Sequence, residues 1–350
     1  MELNTDRSKI ILFKKGRGKK NKTIWYWKGE KVEQVKEFRY LGYTLQQNNK
    51  IECHIKDRKR RAMQAMKWTW GLGKKICPSD LERRLFLFEH LVKSVLFYGV
   101  ELWGWEENKE VEGLQEKYIR WLLTLDSCTP GYLVREESRC KKLRIETGLR
   151  AWRYEQKIRG RIDNELLKNC IREIDEMKIE NKGWGSKRDN YFRRLGWSCT
   201  EVVNMYRAGV NCEEEFRKRD EQVNQQEQEN KIQTSRYNKN YKHIRSAELP
   251  YYLKRESRIA RKGMIARWRC GNEEKGNAYW RKEEDKTCRI CKKEEETILH
   301  LKVRCIKSDL EIEEILAVNC RGEKWMETVR VKRNKSQAVE ESFKKSLQED

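Results

Sequence analysis

The sequence predicts a mainly α-helical protein with a small N-terminal β portion, a helical bundle, a long helical spacer and a small zinc module. Short apolar blocks with strand-like composition occupy residues 9–45, and from about residue 54 apolar residues repeat at helical spacing. Charged residues make up 39% of the chain against about 25% in an average globular domain, which favours solvated helices. The 13 Trp, 14 Tyr and 8 Phe are too many aromatics for a disordered chain.

The N-terminal β portion is predicted from two stretches of β-forming residues. Residues 23–27 and 31–35 flank Lys28-Gly29-Glu30, which is a turn signal between two strands of a hairpin. The extended pattern continues over residues 38–45. We therefore expect strands to end at about residue 45.

The helical bundle begins at about His54. One face of the first helix is expected to be buried, and Gly71 and Gly73 are expected to end it. That face consists of Ile55, Ala62, Ala65, Met66 and Thr69.

Three further helices follow at short intervals. The second is expected to start at Ser79 as its N-cap, and the third has apolar residues at helical spacing between residues 111 and 125. Thr129-Pro130-Gly131 ends the third helix and starts a fourth that is expected to run to about Glu146. Helices with such short connections predict a compact bundle.

These patterns divide the chain into five predicted regions. They are a β-rich basic region at residues 1–48, the helical bundle at 49–148, a polar helical spacer at 149–234, a C-terminal segment with the zinc module at 235–320 and a polar tail at 321–350.

The most specific chemical signal is the set Cys288, Cys291, His300 and Cys305. Two thiolates separated by two residues can bind one ion, and a third thiolate and an imidazole complete the tetrahedral shell of Zn²⁺. Since the protein fills all four positions, the site is predicted to be structural and not catalytic. An offset of five would splay His300 and Cys305 on a regular helix, so one of them is expected at a helix end or in a loop. The alternative, four unconnected reduced residues, is disfavoured because the chain has only 4 His.

The charge points to a polyanionic partner. The net charge is +23, and residues 1–75 alone hold 21 Lys and Arg against 7 Asp and Glu. Such a field favours RNA, DNA or an RNA–DNA hybrid over an anionic membrane surface. The predicted phosphate contacts are Lys14, Lys15, Arg17, Lys19 and Lys20 on a loop and Lys56, Arg58, Lys59, Arg60 and Arg61 on the first helix.

Neighbouring aromatics leave two interpretations open. Trp25, Tyr26, Trp27, Trp68 and Trp70 could stack on bases, but burial in the core is the favoured interpretation. The basic run at residues 14–22 is also compatible with a nuclear-localisation patch.

Composition also limits the compartment and the chemistry. No run of 18 apolar residues and no apolar signal core after Met1 occur, so we expect a soluble nuclear or cytoplasmic protein that is not secreted. The 12 Cys are accordingly expected to be reduced or metal-bound. No Asp-Asp pair and no nucleophile signature occur, and Asp57 beside His54 is expected to be a solvated charge. We predict no catalytic site.

Several blocks in matching order resemble the reverse transcriptases of insect-type non-LTR (LINE-type) retrotransposons over roughly residues 5–310. The blocks are Phe38-Arg39-Tyr40-Leu41-Gly42, the run from Tyr98 to Trp105 (YGVELWGW), Trp121-Leu122-Leu123 with Thr129-Pro130-Gly131-Tyr132, and the Cys-Cys-His-Cys set near the C-terminus.

This resemblance implies that residues 1–45 are the last strands of a palm and that residues 50–150 are a thumb that grips the template–primer duplex. The remainder would engage element RNA or target DNA. The palm strand with the catalytic aspartate pair is expected upstream of Met1, so the chain is expected to be a truncated product that does not polymerise DNA. The alternatives are a zinc-containing module that docks a protein through its helical spacer without binding nucleic acid, and an independent enzyme, which the missing carboxylates disfavour.

Overall fold

A computed structural model describes the chain in seven stretches. They are residues 4, 7–13, 23–48, 50–161, 164–176, 183–278 and 280–346. The structure is 63% helical and 6% strand. The prediction of a mainly α protein with a small N-terminal β portion is therefore confirmed.

The described residues form two compact units, and each unit joins stretches from more than one predicted region. Unit 1 draws on Met1–Leu72, Phe86–Leu114 and Leu143–Asp220. Unit 2 draws on Gly73–Leu85, Gln115–Lys142 and Glu221–Asp350. The five predicted boundaries stay predictions.

Five short strands make up the β portion. They are β1 (Lys9–Ile10), β2 (Trp25–Trp27), β3 (Glu30–Gln34), β4 (Glu37–Tyr40) and β5 (Tyr43–Gln46). In one sheet the order is β1-β3-β2, with β1 parallel and β2 antiparallel to β3, and β4 pairs with β5 in a separate hairpin.

Two-residue turns set the register of both hairpins. Lys28 and Gly29 have φ of 49° and 86°, and Leu41 and Gly42 have φ of 46° and 82°. Turns with two positive φ values match the twist of the flanking strands, and glycine takes the second position without a steric penalty. The predicted hairpin is found, and the extended pattern over 38–45 is a second one.

The first helix, α1 (Glu52–Ile76), buries the predicted face but does not end at the glycines. Ile55, Ala62, Met66 and Thr69 of that face are buried, and Ala65 is half-buried. The prediction that Gly71 and Gly73 end the helix is wrong, because a helical glycine costs only about 1 kcal/mol relative to alanine. Gly73 also makes room for a neighbour, since a Cβ there would lie 3.0 Å from Nε of Arg84.

The other helices follow in chain order. They are α2 (Leu81–Leu87), α3 (Lys93–Leu96), α4 (Val100–Trp103), α5 (Lys109–Leu122), α6 (Gly131–Ser138), α7 (Arg144–Arg159), α8 (Glu165–Glu176), α9 (Trp184–Arg194), α10 (Cys199–Arg207), α11 (Cys212–Gln233), α12 (Tyr251–Lys254), α13 (Ile259–Arg269), α14 (Ile298–His300), α15 (Ile312–Leu316) and α16 (Cys320–Ser346). Two π turns, Phe88–Val92 and Leu301–Ile306, and three short 3₁₀ turns lie among them.

Two predicted helix boundaries need correction. Asp80 and not Ser79 caps α2, because its Oδ1 accepts a hydrogen bond from the backbone N–H of Arg83 at 2.9 Å. The predicted fourth helix is two helices, since Arg139 adopts φ of 55° and ends α6. A left-handed residue at this position is a common helix stop.

Unit 1 contains an aromatic core that joins Trp105 of the predicted bundle to residues of the stretch predicted to be a polar spacer. Trp152 lies edge-on to Phe216, with ring centroids 5.0 Å apart at 80°. Trp105 meets Phe192 in the same way at 5.7 Å and 75°. Such edge-to-face pairs add about 0.5–1.5 kcal/mol each beyond the area that they bury. The described residues between 149 and 220 therefore pack as part of a folded unit.

Unit 2 is organised around a buried carboxylate, Glu137 on α6. This residue is fully buried. It accepts hydrogen bonds from the hydroxyls of Tyr241 at 2.7 Å and Tyr252 at 2.5 Å and from Nε of Arg269 at 2.6 Å. One charge thus fixes α6, α12 and α13 relative to each other.

Candidate metal centre and basic helix face

A tight backbone hairpin presents the first two predicted ligands, Cys288 and Cys291. The backbone N–H of Cys288 donates to the carbonyl of Glu294 at 2.7 Å, and the N–H of Lys292 donates to the carbonyl of Cys288 at 2.9 Å. Lys292 closes the turn with φ of 59°. The backbone N–H of Ile290 donates to Sγ of Cys288 at 3.4 Å.

The other two ligands lie on a helix that changes type between them. Thr297 caps α14 by accepting the N–H of His300 at 3.1 Å. The chain then continues as the π turn Leu301–Ile306, which contains Cys305. On an α-helix an offset of five leaves two residues about 140° apart. In a π turn hydrogen bonds join residues five apart, so His300 and Cys305 come to the same side.

These elements bring the four ligand atoms together. All four lie within 4.8 Å of one another. Sγ of Cys288 is 3.6 Å from Sγ of Cys305, and Nε2 of His300 is 3.2 Å from Sγ of Cys291 and 3.3 Å from Sγ of Cys305. Tetrahedral sulfur ligands about 2.3 Å from one ion would be about 3.8 Å apart. The set therefore fits a single tetrahedral ion after small shifts.

A carboxylate orients the imidazole from behind. Oε2 of Glu294 lies 2.9 Å from Nδ1 of His300, which leaves Nε2 facing the three thiols. This carboxylate–histidine pair is common behind metal-bound imidazoles. Sequence reasoning did not identify Glu294, because its spacing in the chain carries no metal-ligand signature.

The thiols differ in their readiness to ionise. Burial by itself would raise the pKa of Cys291, but hydrogen bonds from the backbone N–H of Lys293 and from His300 outweigh it and lower the pKa to about 7. Burial and the neighbouring Cys288 raise the pKa of Cys305 to about 12. A bound cation would favour the thiolate form of every ligand, so ion binding would release protons here.

A second network joins the metal hairpin to the last long helix of unit 2. Arg333 on α16 donates to Glu273 at 2.6 Å and to Glu296 at 2.8 Å. Arg289 in the hairpin donates to the same Glu296 at 2.9 Å. Burial raises the pKa of Glu296, but Arg289 and Arg333 outweigh it and hold the pKa below its usual value. The hairpin is thus fixed by charge as well as by its own turn.

The basic residues predicted on α1 have different surroundings. Lys56 and Arg60 are exposed, while Arg58 is buried with its guanidinium 5.1 Å from the centroid of the Tyr98 ring. Lys59 lies 3.4 Å from Glu110. The predicted loop contacts Lys14, Lys15, Arg17, Lys19 and Lys20 lie outside the described residues.

Asp57 partly neutralises this cluster. Its carboxylate oxygens lie 2.6 Å from Arg58 and 2.9 Å from each of Arg60 and Arg61. Burial opposes its ionisation, yet the three hydrogen bonds hold the pKa of Asp57 well below its usual range. Asp57 is therefore not the solvated charge that we expected. It gathers arginine side chains on one helix.

The aromatic residues beside the basic clusters are more exposed than we expected. Trp68 is 83% exposed, Tyr26 65% and Trp27 47%. The expectation that these three belong to the core is wrong, while Trp25 and Trp70 are half-buried. Burial in α1 follows only the face of Ile55 and Ala62, and Trp68 lies outside that face.

No family model matches the chain, and neither does any curated protein or solved structure. Among the helices of the described ranges, none combines the length and the apolar character that a membrane crossing needs.

Proposed function

We propose that this chain is a non-catalytic fragment of a reverse transcriptase of the non-LTR retrotransposon type that binds RNA or DNA inside the cell, in the nucleus or the cytoplasm. The observation that most supports nucleic-acid binding is an exposed basic face on α1 with an exposed tryptophan beside it. Lys56, Arg60 and Lys67 are exposed on that helix, and Trp68 is 83% exposed. Basic residues interleaved with aromatics are typical of surfaces that bind single strands or duplex backbones.

The spacing of the three cations suits a polyanion. At 100° per residue, Arg60 and Lys67 lie about 40° and 20° from Lys56 around the helix axis, and Lys67 is about 16 Å further along it. The three charges therefore form one stripe that can follow several phosphates. Each neutralised phosphate releases counterions, which makes binding fall steeply with salt.

Arg58 has a different role in this proposal. It is only 5% exposed and packs over Tyr98, so it supports the helix from inside. Replacing it would disturb packing as well as charge. A clean test must leave Arg58 in place and change only exposed cations.

The metal centre contributes structure in this proposal, and zinc is the ion that its ligands favour. Three thiolates and one imidazole in a closed tetrahedral set suit Zn²⁺ better than hard cations. All four protein ligands are used, so the ion would hold the hairpin and the π turn together. Chemistry on a substrate is not part of its role.

The experiment is a salt titration of binding between the full zinc-loaded chain and a labelled RNA–DNA duplex. The variant replaces Lys56, Arg60 and Lys67 by Gln. We expect the slope of log affinity against log salt to become shallower by about 3, one for each lost phosphate contact. The matched control replaces three exposed basic residues of the same unit, Arg193, Arg207 and Lys218, by Gln.

Equal slopes in the two variants would refute the assignment of the contacts to α1. Absence of binding at low salt by a folded chain would refute nucleic-acid binding altogether. The zinc-containing protein-interaction module would then become the better interpretation.

A further inference from the structure

Two adjoining cavities of about 340 and 270 Å³ open in unit 2 beside the metal hairpin. Hydrogen bonds join their lining to that hairpin. Nζ of Lys275 donates to the carbonyl of Thr287, and the backbone N–H of Gly276 donates to the carbonyl of Glu296, each at 3.1 Å. Together they have the size of a small-ligand site. They share five lining residues: Tyr237, Asn238, Gly271, Glu274 and Asn277.

The rim of these cavities is aromatic and basic. Tyr237 is 37% exposed and Trp280 55%, so part of each aromatic side chain is accessible from solvent at this rim. Arg236, Lys239 and Arg281 are exposed on the same rim, and no carboxylate of the described residues lies within ion-pair distance of any of the three. The guanidinium of Arg236 lies 5.5 Å from the centroid of the Tyr237 ring.

The acids of the lining limit where an anion can sit. Asp126 is paired with Arg267 at 2.7 Å, and Glu295 lies at the rim of the larger cavity. Glu274 lies in the wall common to both cavities and accepts the backbone N–H of Ile298 at 2.9 Å. A phosphate is therefore favoured at the basic rim, and the interior favours a neutral polar group.

Amide side chains supply polar recognition inside. The Nδ2 group of Asn277 donates to the carbonyl of Gly271 at 3.1 Å, which leaves its Oδ1 available as an acceptor. The side-chain amide of Asn238 has no hydrogen-bond partner in the part of the chain that the structure describes. Gly271 admits these amides, since a Cβ there would lie 2.5 Å from Nδ2 of Asn277 and 2.7 Å from Oδ1 of Asn238. Amides of this kind bind the edge of a nucleobase, which has both donors and acceptors.

We infer that the two cavities form a binding site for one unstacked nucleotide of a single-stranded nucleic acid. The base enters between the amides and stacks on Tyr237 or Trp280, and the flanking phosphates lie against Arg236, Lys239 and Arg281. This inference rests on the proposed nucleic-acid binding and deepens it, because it adds a single-strand site on unit 2 to the basic stripe on unit 1.

The test measures binding of a uridine hexanucleotide, with one 4-thiouridine for photo-crosslinking, to the full zinc-loaded chain. The variant Trp280→Ala with Arg281→Gln removes one ring and one charge at the rim. Loss of one stacked base predicts affinity for the hexanucleotide reduced by about 5- to 150-fold, with duplex affinity unchanged. The matched control, Tyr251→Ala with Arg258→Gln, removes an exposed aromatic and an exposed arginine of the same unit away from the cavities.

Crosslinks from the 4-thiouridine to Tyr237 or to Trp280 would support the site directly. Hexanucleotide affinity equal to that of the control variant, or crosslinks confined to other segments, would overturn it. Displacement of the strand by millimolar uridine monophosphate would overturn the assignment to a strand and make the free nucleotide the ligand.

The proposed function and the cavity inference can be refuted independently of each other. If the Lys56, Arg60 and Lys67 variant loses duplex binding while the rim variant keeps hexanucleotide binding, only the cavity inference is wrong. If the wild-type chain binds neither probe, both proposals are wrong. If only the rim variant has an effect, the cavity stands and the stripe does not.

Discussion

Neutralising Glu137 tests whether one buried charge holds unit 2 together. Glu137 is fully buried and accepts hydrogen bonds from Tyr241, Tyr252 and Arg269. Glu137→Gln keeps the shape of the side chain and removes its charge. The guanidinium of Arg269, itself only 5% exposed, would then be a buried cation with backbone carbonyls as its remaining partners.

The expected cost follows from that uncompensated charge. Breaking a buried ion pair by removing one partner typically costs about 3–5 kcal/mol. Domains are stable by only about 5–15 kcal/mol, so this is a large fraction of the stability of the unit. Arg269 and Tyr241 also line the larger cavity, so the same change would loosen its wall.

Hydrogen exchange measured by mass spectrometry on peptides of α13 provides a local readout. A loss of 3–5 kcal/mol predicts protection of these amides reduced by about 150- to 5,000-fold. The control Glu221→Gln removes a carboxylate of the same unit that pairs with the exposed Lys141 at 2.6 Å, where a cost below about 1 kcal/mol is expected. Protection in Glu137→Gln within about threefold of that control would refute the reasoning.

Two further predictions concern the metal centre and alkaline pH. Glu294→Gln should weaken zinc affinity by about 10- to 100-fold, because the carboxylate that orients His300 is lost. The affinity is measured by competition with a chromogenic chelator. Unchanged affinity would show that the contact between Glu294 and His300 does not affect zinc binding. Burial and then the carboxylate of Glu137 raise the pKa of Tyr241 and Tyr252 well above the ordinary value of 10.0. Their protonated forms therefore contribute stability that is fully present below about pH 10 and is lost above it, so the free energy of unfolding in urea should fall between about pH 9.5 and 11. A flat profile over that range would contradict this.

The features that sequence predicted well depend on short-range rules. The hairpin at Lys28-Gly29 follows from what a two-residue turn demands of its backbone. The candidate metal-binding group follows from residue type and spacing, and its four possible ligand atoms do lie within 4.8 Å of one another. In both cases residues close together in the chain decide the outcome.

The features that sequence missed depend on residues far apart. The aromatic core of unit 1 joins Trp105, Trp152, Phe192 and Phe216, whose separations along the chain show no local periodicity. The exposure of Trp68 was missed for a related reason. A hydrophobic residue type does not by itself determine whether the side chain is buried against another element. Gly71 and Gly73 were expected to end α1 because glycine has a low helix propensity. Packing along the buried face of the helix outweighed that small free-energy cost.

The offset between His300 and Cys305 shows where local rules end. An α-helix would turn the two residues about 140° apart, and the spacing alone therefore argued for a helix end or a loop. In the structure His300 is the last residue of α14, and Cys305 lies in the π turn that continues the helix. π turns are rare and are frequently found at functional sites. The spacing of five residues between His300 and Cys305 equals the hydrogen-bonding repeat of a π turn, so the helix type explains how the imidazole and the thiol reach the same side.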